Sequence, residues 1–191
     1  MARSNDKRAR LIEAADTLIY ENTFNLTTLA HIAQRAEVPL GNVYYYFKTK
    51  DEILKAVLQN RLIHFQTKMK EWDLLSNPRL RIDTYLKENI SLKDNFAKFG
   101  CNVGSLCQEL AKESGQISSI AAQFLNISLN WLEEQFKFLG YKESATLAEH
   151  LLSCVQGTAL LMCSFKNPEL AEQQVLTLNN WLNKLSHSQA A

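Results

Sequence analysis

The sequence predicts an all-α protein, on three observations. Apolar residues recur every three or four positions along most of the 191 residues, which is the spacing of amphipathic helices. Only six Gly and three Pro are present, too few for a loop-rich β-sandwich, and no credible pair of strands is found. Helix caps and helix stops interrupt the apolar periods at regular intervals. We therefore expect about nine helices.

The first four predicted helices follow from these signals in order. The first helix ends at about Asn22, and the Thr-Thr pair at 27 and 28 provides N-caps for a short second helix. Pro39 is favoured in the first turn of a helix and opens a short third one. Val43 and Phe47 share one face of that helix, so we expect both in the core. Thr49 caps a long fourth helix that reaches about residue 72.

The remaining helices are bounded by Pro and Gly. Asn77 and Pro78 form an N-cap and first turn, and Gly100 ends the helix that they open. Asn167 and Pro168 open the last helix in the same way. Between these two helices, apolar periods predict helices over residues 103–113, 117–139 and 144–165.

Charge and hydropathy exclude several classes of protein. Lys plus Arg total 21 and Asp plus Glu total 20, so the net charge of +1 excludes a uniformly basic nucleic-acid coat. Apolar runs of about five residues are too short for a membrane span, which needs roughly 18. The polar N-terminus has no apolar segment behind it, so we expect no secretory signal, a cytoplasmic location and reduced cysteines.

The basic residues near the N-terminus form two groups. They lie about forty residues apart and consist of Arg3, Lys7, Arg8 and Arg10, and of Lys48 and Lys50. These groups are either solvated helix ends or the two sides of one anion-binding surface. The second interpretation requires a compact fold between them.

The order of elements in residues 1–50 is that of a helix-turn-helix unit, with residues 39–47 as its reading helix. The exposed candidates in this helix are Leu40, Gly41, Asn42, Tyr44 and Tyr45. Gly and Asn are poor helix formers, but Gly permits close approach of a backbone, and Asn and Tyr bind base edges and phosphates. The aromatic residues are alternatively core residues. Three adjacent Tyr span about 200° of a helix, so they cannot all point inward.

Residues 36–54, A-E-V-P-L-G-N-V-Y-Y-Y-F-K-T-K-D-E-I-L, resemble the DNA-binding signature of TetR-family transcriptional regulators. That signature runs roughly A-G-V-S-x-G-x-[LV]-Y-x-[HY]-F-x-[ST]-K-[ED]-x-L. Residues 27–33 are similar to the preceding T-[TV]-x-x-I-A. The resemblance implies a DNA-binding domain over residues 1–50 and a ligand-binding and dimerisation domain over residues 51–191. It also implies no cofactor, no metal and no catalytic residue.

The resemblance implies roles for nine residues. Those expected to face the major groove or its phosphates are Thr27, Thr28, Leu40, Gly41, Asn42, Tyr44, Tyr45, Lys48 and Lys50. Two positions depart from the family pattern. Pro39 replaces a capping Ser or Thr, and Leu40 replaces a residue that is often polar. The second departure removes one possible base or phosphate contact.

The segment from Leu151 to Cys163 contains only four non-apolar residues, so its helix is buried on more than one side. Gly157 costs such a helix about 1 kcal/mol relative to Ala, which close approach of another backbone would explain. Either a monomer core or a homodimer interface accounts for this pattern, and the resemblance favours the homodimer. The expected interface residues are Leu151, Val155, Gly157, Ala159, Met162, Leu178 and Leu182.

Aromatic residues along the C-terminal helices are either core or the lining of an effector pocket, whose position the resemblance implies. The candidate lining residues are Phe65, Trp72, Tyr85, Phe96, Phe99, Cys101, Trp131 and Phe136. The segment G-C-N-V-G-S-L-C-Q-E-L at 100–110 is similar to a G-C-x-x-G-x-L-x-x-E-L motif of one branch of the family. Some members of that branch respond to electrophiles or oxidants. Cys101, at a helix start, is either such a sensor or a small buried residue.

The function that these patterns favour is a homodimeric repressor, released from a palindromic DNA operator by a small-molecule or electrophile effector. The alternatives are an activator, a regulator without an effector, and a small helical enzyme. The four His residues are isolated, and no nucleophile elbow or phosphate-binding loop appears, so the enzyme is the weakest alternative.

Overall fold

The computed structural model describes residues 2–112 and 116–189, with side chains described for 6–112 and 118–185. In these ranges the chain forms ten helical segments and no strand, which confirms the all-α class. The helices are α1 (Ala2–Asn22), α2 (Leu29–Arg35), α3 (Leu40–Tyr46), α4 (Lys50–Asp73), α5 (Pro78–Ser91), α6 (Lys93–Phe99), α7 (Gly104–Leu110), α8 (Gln116–Phe138), α9 (Ser144–Phe165) and α10 (Leu170–Gln189).

The chain divides into two compact units. Unit 1 comprises Met1–Thr67 with Ser105–Phe124, and unit 2 comprises Lys68–Gly104 with Leu125–Ala191. Unit 1 is larger than the predicted DNA-binding domain because it includes most of α4, nearly all of α7 and the start of α8. The division into functional domains at residue 50 stays a prediction.

The first three helices of unit 1 bury one common apolar core. Leu11 of α1, Ile32 of α2 and Val43 of α3 are completely buried, and Phe47 follows them into the core. The prediction that Val43 and Phe47 are core residues is therefore confirmed. Burial of each such side chain stabilises the unit by about 1.5–3 kcal/mol.

The turn between α2 and α3 has a left-handed residue that is not glycine. Glu37 has a φ of +52°, a conformation that glycine adopts more readily than other residues. The turn is fixed by hydrogen bonds from the Glu37 N–H to the Gln34 carbonyl and from the Val38 N–H to the Ala33 carbonyl. Pro39 follows as the N-cap of α3 and makes no side-chain cap hydrogen bond, as its ring requires.

In unit 2, the helix predicted from Asn77 to Gly100 is divided at Leu92. The Asn77 side chain caps α5 as expected, but Leu92 has φ −99° and ψ 4°, outside the helical range, and α6 begins after it. Leu92 contacts the apolar cluster in which Phe96 and Ala97 of α6 meet Met162 of α9. The local sequence alone predicts one continuous helix. Burial of these side chains stabilises the chain more than the interruption at Leu92 costs.

The C-terminal helices pack within unit 2, where α9 contacts α6 and α10, and α10 contacts α5. This packing corrects the predicted dimer interface. Six of its seven residues are buried in the chain's own core, namely Leu151, Val155, Ala159, Met162, Leu178 and Leu182. Only Gly157 is exposed. The six buried residues therefore mark the inner faces of α9 and α10.

Candidate nucleic-acid interface

The outer face of α3 is an exposed surface without formal charge. Tyr45 is 76% exposed, Tyr44 is 47% exposed and Leu40 is 41% exposed, and Gly41 and Asn42 are exposed beside them. Tyr46 is half-buried and its ring meets that of Tyr45 edge to face at 5.0 Å. Five of the nine predicted DNA-binding residues thus share one surface.

This surface offers chemistry suited to a nucleic acid. The two exposed phenols can donate to phosphate oxygens, and the Asn42 amide can both donate to and accept from a base edge. A Cβ placed on Gly41 would meet no atom of the chain within 4 Å. Space is therefore open for a ligand backbone at the start of the helix.

The residues after α3 carry positive charge next to this surface. Lys48 is exposed and its Nζ donates to the Tyr44 carbonyl at 2.6 Å. The Thr49 hydroxyl accepts from the Glu52 N–H at 3.2 Å, as its predicted capping role requires. The Glu52 carboxylate accepts in turn from the Lys48 N–H at 2.6 Å. These bonds fix the start of α4 and keep Lys48 beside Tyr44.

The two threonines before α2 have different roles, which the sequence did not distinguish. Thr28 is exposed, and its hydroxyl caps α2 by accepting from the His31 N–H at 3.2 Å. Thr27 is buried and its hydroxyl donates to the Thr23 carbonyl at 2.7 Å. The expectation that Thr27 faces a phosphate is corrected, because its hydroxyl lies inside unit 1.

The Lys50 ammonium group makes contacts within unit 1. Its Nζ donates to the Phe24 carbonyl at 2.9 Å and lies 4.1 Å from the centre of the Phe24 ring. A phosphate can approach only the part of the ammonium group that these contacts leave exposed.

The N-terminal basic residues lie against the same unit. The Arg8 guanidinium lies 5.3 Å from the centre of the Phe47 ring. Arg10 donates to the Ala36 carbonyl in the turn before α3 and pairs with Glu37 at 3.5 Å. The side chain of Arg3 lies outside the described residues. Basic groups therefore border α3 from two parts of the chain.

Three of the predicted pocket residues form a packed aromatic cluster in unit 2. The ring centres of Trp72, Tyr85 and Trp131 are 5.4–6.0 Å apart, and all three side chains are buried. Trp131 Nε1 donates to the Asp73 carboxylate at 2.9 Å. At these three positions the core interpretation fits better than the pocket one.

The other predicted pocket residues are dispersed. Phe136 is buried and packs edge to face on Tyr141 and Trp181, Phe99 is half-buried, and Phe65 lies in unit 1. Phe96 alone of the predicted set lines a described cavity of unit 2. That cavity measures about 20 Å³, a volume large enough for about one water molecule.

Burial of Tyr85 gives a testable dependence of stability on pH. Burial, reinforced by Cys101, raises the pKa of Tyr85 well above its ordinary value of 10. The contribution of the protonated Tyr85 phenol to the free energy of unfolding is fully present below pH 10. It is lost as the pH rises further, because this phenol ionises at a lower pH in the unfolded chain than in the folded one. We expect urea unfolding between pH 10 and 11 to show a loss for the wild type up to about 1.4 kcal/mol larger than for Tyr85→Phe. The exposed control Tyr45→Phe should behave as the wild type, and equal losses in all three proteins would contradict this placement of Tyr85.

The four cysteines form no disulfide and lie in different surroundings. The Cys101 sulfur is half-buried and accepts from the Gly104 N–H at 3.3 Å, at the start of α7. Cys107 is buried and donates to the Ala121 carbonyl at 3.0 Å. Burial raises the pKa of the Cys154 thiol. Cys163 accepts from the Lys166 ammonium at 3.9 Å. The four thiols therefore differ both in burial and in hydrogen-bond partners.

Comparisons with known proteins show a likeness to bacterial regulators in sequence and in fold. Residues 11–57 match the family of bacterial regulatory proteins, tetR family. The fatty acid metabolism regulator protein of Bacillus subtilis (strain 168) is 32% identical over 71 residues, 37% of this chain and 37% of that protein. The transcriptional repressor NemR of Escherichia coli (strain K12) is 27% identical over 118 residues, 60% of this chain and 57% of that protein. The chain thus spans less than two thirds of the length of these curated relatives.

The likeness in fold extends over nearly the whole chain. SCO4454, a TetR-family transcriptional regulator from Streptomyces coelicolor, superposes with a TM-score of 0.85 at 17% identity, over 95% of this chain and 97% of that one. No described helix is long and apolar enough to cross a membrane. The matched family and relatives are regulators and not enzymes. The family match therefore covers α2 and α3, which carry the exposed surface, and the fold of the chain is that of a solved TetR-family regulator.

Proposed function

We propose that this protein is a homodimeric transcriptional repressor that binds a palindromic DNA operator through α3. The exposed, uncharged face of α3 between basic residues carries the proposal. Such a face suits base edges, and its cationic borders suit the phosphates on either side. NemR, one of the relatives, is named a transcriptional repressor, which supports repression over activation.

A homodimer explains the outer faces of α9 and α10. From His150 to Phe165 the sequence of α9 has no Asp, Glu, Lys or Arg, and residues 173–183 of α10 have none either. The exposed large apolar side chains on these stretches are Leu160, Leu161, Phe165 and Leu176. Uncharged apolar stripes of this length are typical of surfaces that a partner covers.

The second copy is the occupant that fits these stripes best. A Cβ placed on Gly157 would meet no atom within 4 Å, so the chain itself gives no reason for a glycine there. Close approach of a partner helix supplies one. In a symmetric pair, the same stripes of both copies form one four-helix interface. Two α3 helices would then read half-sites one helical turn apart, about 34–36 Å.

We assign the effector to the C-terminal part of the chain. A small molecule that binds there, or an electrophile that reacts with Cys101, would favour a conformation in which the two α3 helices no longer match the half-sites. Helix α4 begins directly after the DNA-binding residues and would transmit this change. The likeness of residues 100–110 to the cysteine-containing motif supports the electrophile, and regulation without an effector is the second candidate.

Selection of duplexes from a random DNA library tests this function. We expect the full-length protein to enrich an inverted repeat whose half-site centres are about one helical turn apart. Affinity for the enriched duplex should fall as the salt concentration rises, because each phosphate contact releases counterions when it forms. Enrichment of a single asymmetric site, or of no sequence at all, would contradict the proposal.

A further inference from the structure

The loop between α1 and α2 is held by a residue that lies far away in the sequence. The two carboxylate oxygens of Glu109, in α7, accept from the Phe24 N–H at 3.0 Å and from the Asn25 N–H at 2.8 Å. All three residues belong to unit 1. One carboxylate therefore binds two consecutive peptide N–H groups, a charge-assisted arrangement about twice as strong as neutral hydrogen bonds.

One of these peptide groups, the one that joins Phe24 to Asn25, is also held on its carbonyl side by a cation. Lys50 Nζ donates to the Phe24 carbonyl at 2.9 Å and to the Asn25 carbonyl at 3.4 Å. The carboxylate at the N–H and the ammonium at the carbonyl polarise the Phe24–Asn25 peptide group in the same direction, so each contact strengthens the other. Glu109 and Lys50 thus hold one loop between them.

This loop fixes the positions of two predicted DNA-binding residues, Thr28 and Lys50. It enters with Thr23 at a φ of +81°, a costly backbone conformation that persists only when its surroundings hold it. It leaves through Thr27, whose N–H donates to the Phe24 carbonyl at 3.2 Å. Thr28, the cap of α2, is the next residue. A shift of Phe24 would therefore move both the α2 N-terminus and the Lys50 ammonium.

We propose that Glu109 is a positioning residue for DNA binding, and that α7 controls the α1–α2 loop through it. The proposal rests on the proposed function, since it assigns DNA binding to unit 1. It adds a second route to the reading surface besides α4. A change in the regulatory part that withdraws α7 would release Phe24 and Asn25 and leave Thr28 and Lys50 without a fixed position.

Electrostatics alone and a positioning role predict opposite effects on DNA affinity when Glu109 is replaced. A carboxylate in a DNA-binding unit repels phosphates, so its removal should strengthen binding if the charge is merely solvated. If Glu109 positions the loop, its removal should weaken binding. The direction of the change therefore separates the two accounts.

The experiment compares Glu109→Gln with the wild type on the selected duplex, with Glu134→Gln, an exposed residue of α8, as the matched control. We expect about a tenfold loss of affinity for E109Q, as for the loss of one charge-assisted hydrogen bond, and a change below about twofold for E134Q. Unchanged or tighter binding by E109Q would overturn the proposal.

A second measurement needs no DNA and detects the contact itself. Amide hydrogen exchange at Phe24 and Asn25 should be faster in E109Q than in the wild type, while exchange at Phe47, whose N–H bonds to the Val43 carbonyl, stays the same. Equal exchange at Phe24 and Asn25 in both proteins would overturn the proposal. If the wild type binds no duplex, the proposed function fails, and this measurement still decides whether Glu109 holds the loop.

A shorter acid gives the same test if E109Q does not fold. Glu109→Asp keeps the charge but withdraws the carboxylate by one methylene, so electrostatics predicts no change in affinity. The positioning role predicts a loss in the same direction as for E109Q. Wild-type affinity in a folded E109D would count against the proposal.

Discussion

Replacing Leu160 and Leu161 together by Glu is expected to convert the proposed dimer into a monomer. Leu160 is 59% exposed and Leu161 is 46% exposed on the uncharged stripe of α9. In a symmetric interface the change would place four carboxylates near one another and away from water, which costs several kcal/mol. We expect the dimer to weaken by at least about 1,000-fold, or about 4 kcal/mol. Sedimentation at micromolar concentration measures the mass directly.

A matched control separates the interface from surface hydrophobicity in general. Leu74 is 85% exposed and lies outside α9 and α10, so Leu74→Glu should remain a dimer. The double variant should keep its helical circular dichroism, because neither leucine belongs to the core of the chain. A dimer that survives the double substitution would place the interface elsewhere.

The second large effect is expected on the reading helix. Replacement of both Tyr44 and Tyr45 by Ala removes two exposed phenols from the face of α3, and we expect at least about a 100-fold loss of affinity for the selected duplex. Each good contact contributes about 1–3 kcal/mol. Binding assays at one fixed salt concentration measure this loss.

The fold of the tyrosine variant should be unchanged, since Val43 and Phe47 supply the buried face of α3. Phe138→Ala, which removes an exposed aromatic residue of α8, is the control and should bind as the wild type. Wild-type affinity in the tyrosine variant would mean that another face of unit 1 contacts DNA.

Much of the fold could be predicted from sequence, because helix caps and apolar periods are local signals. Thr28, Thr49 and Asn77 cap helices as their positions predict. The break at Leu92 could not be predicted in this way. No Pro or Gly stands there, and the helix ends because Phe96 gains contacts with α9, which lies about 65 residues further along the chain.

The site was predicted less completely, because burial depends on tertiary packing. Adjacent threonines are alike in sequence, yet the fold turns Thr27 inward and leaves Thr28 outside. Apolar residues on α9 are likewise a single class in sequence, and only the packing on α6 and α10 separates the inner Met162 from the outer Leu160. In the sequence, Glu109 is singled out only as the glutamate of the motif at 100–110. Its contact with Phe24 joins residues 85 positions apart.

The most direct test of the central claim, that α3 is the surface that binds DNA, is amide hydrogen exchange of the full-length protein with and without the selected duplex. We expect the duplex to slow exchange in Leu40–Tyr46 and at the start of α4. Exchange in the inner turns of α9 should stay the same. Slowing confined to residues 68–104 or 125–189, with α3 unchanged, would contradict the account.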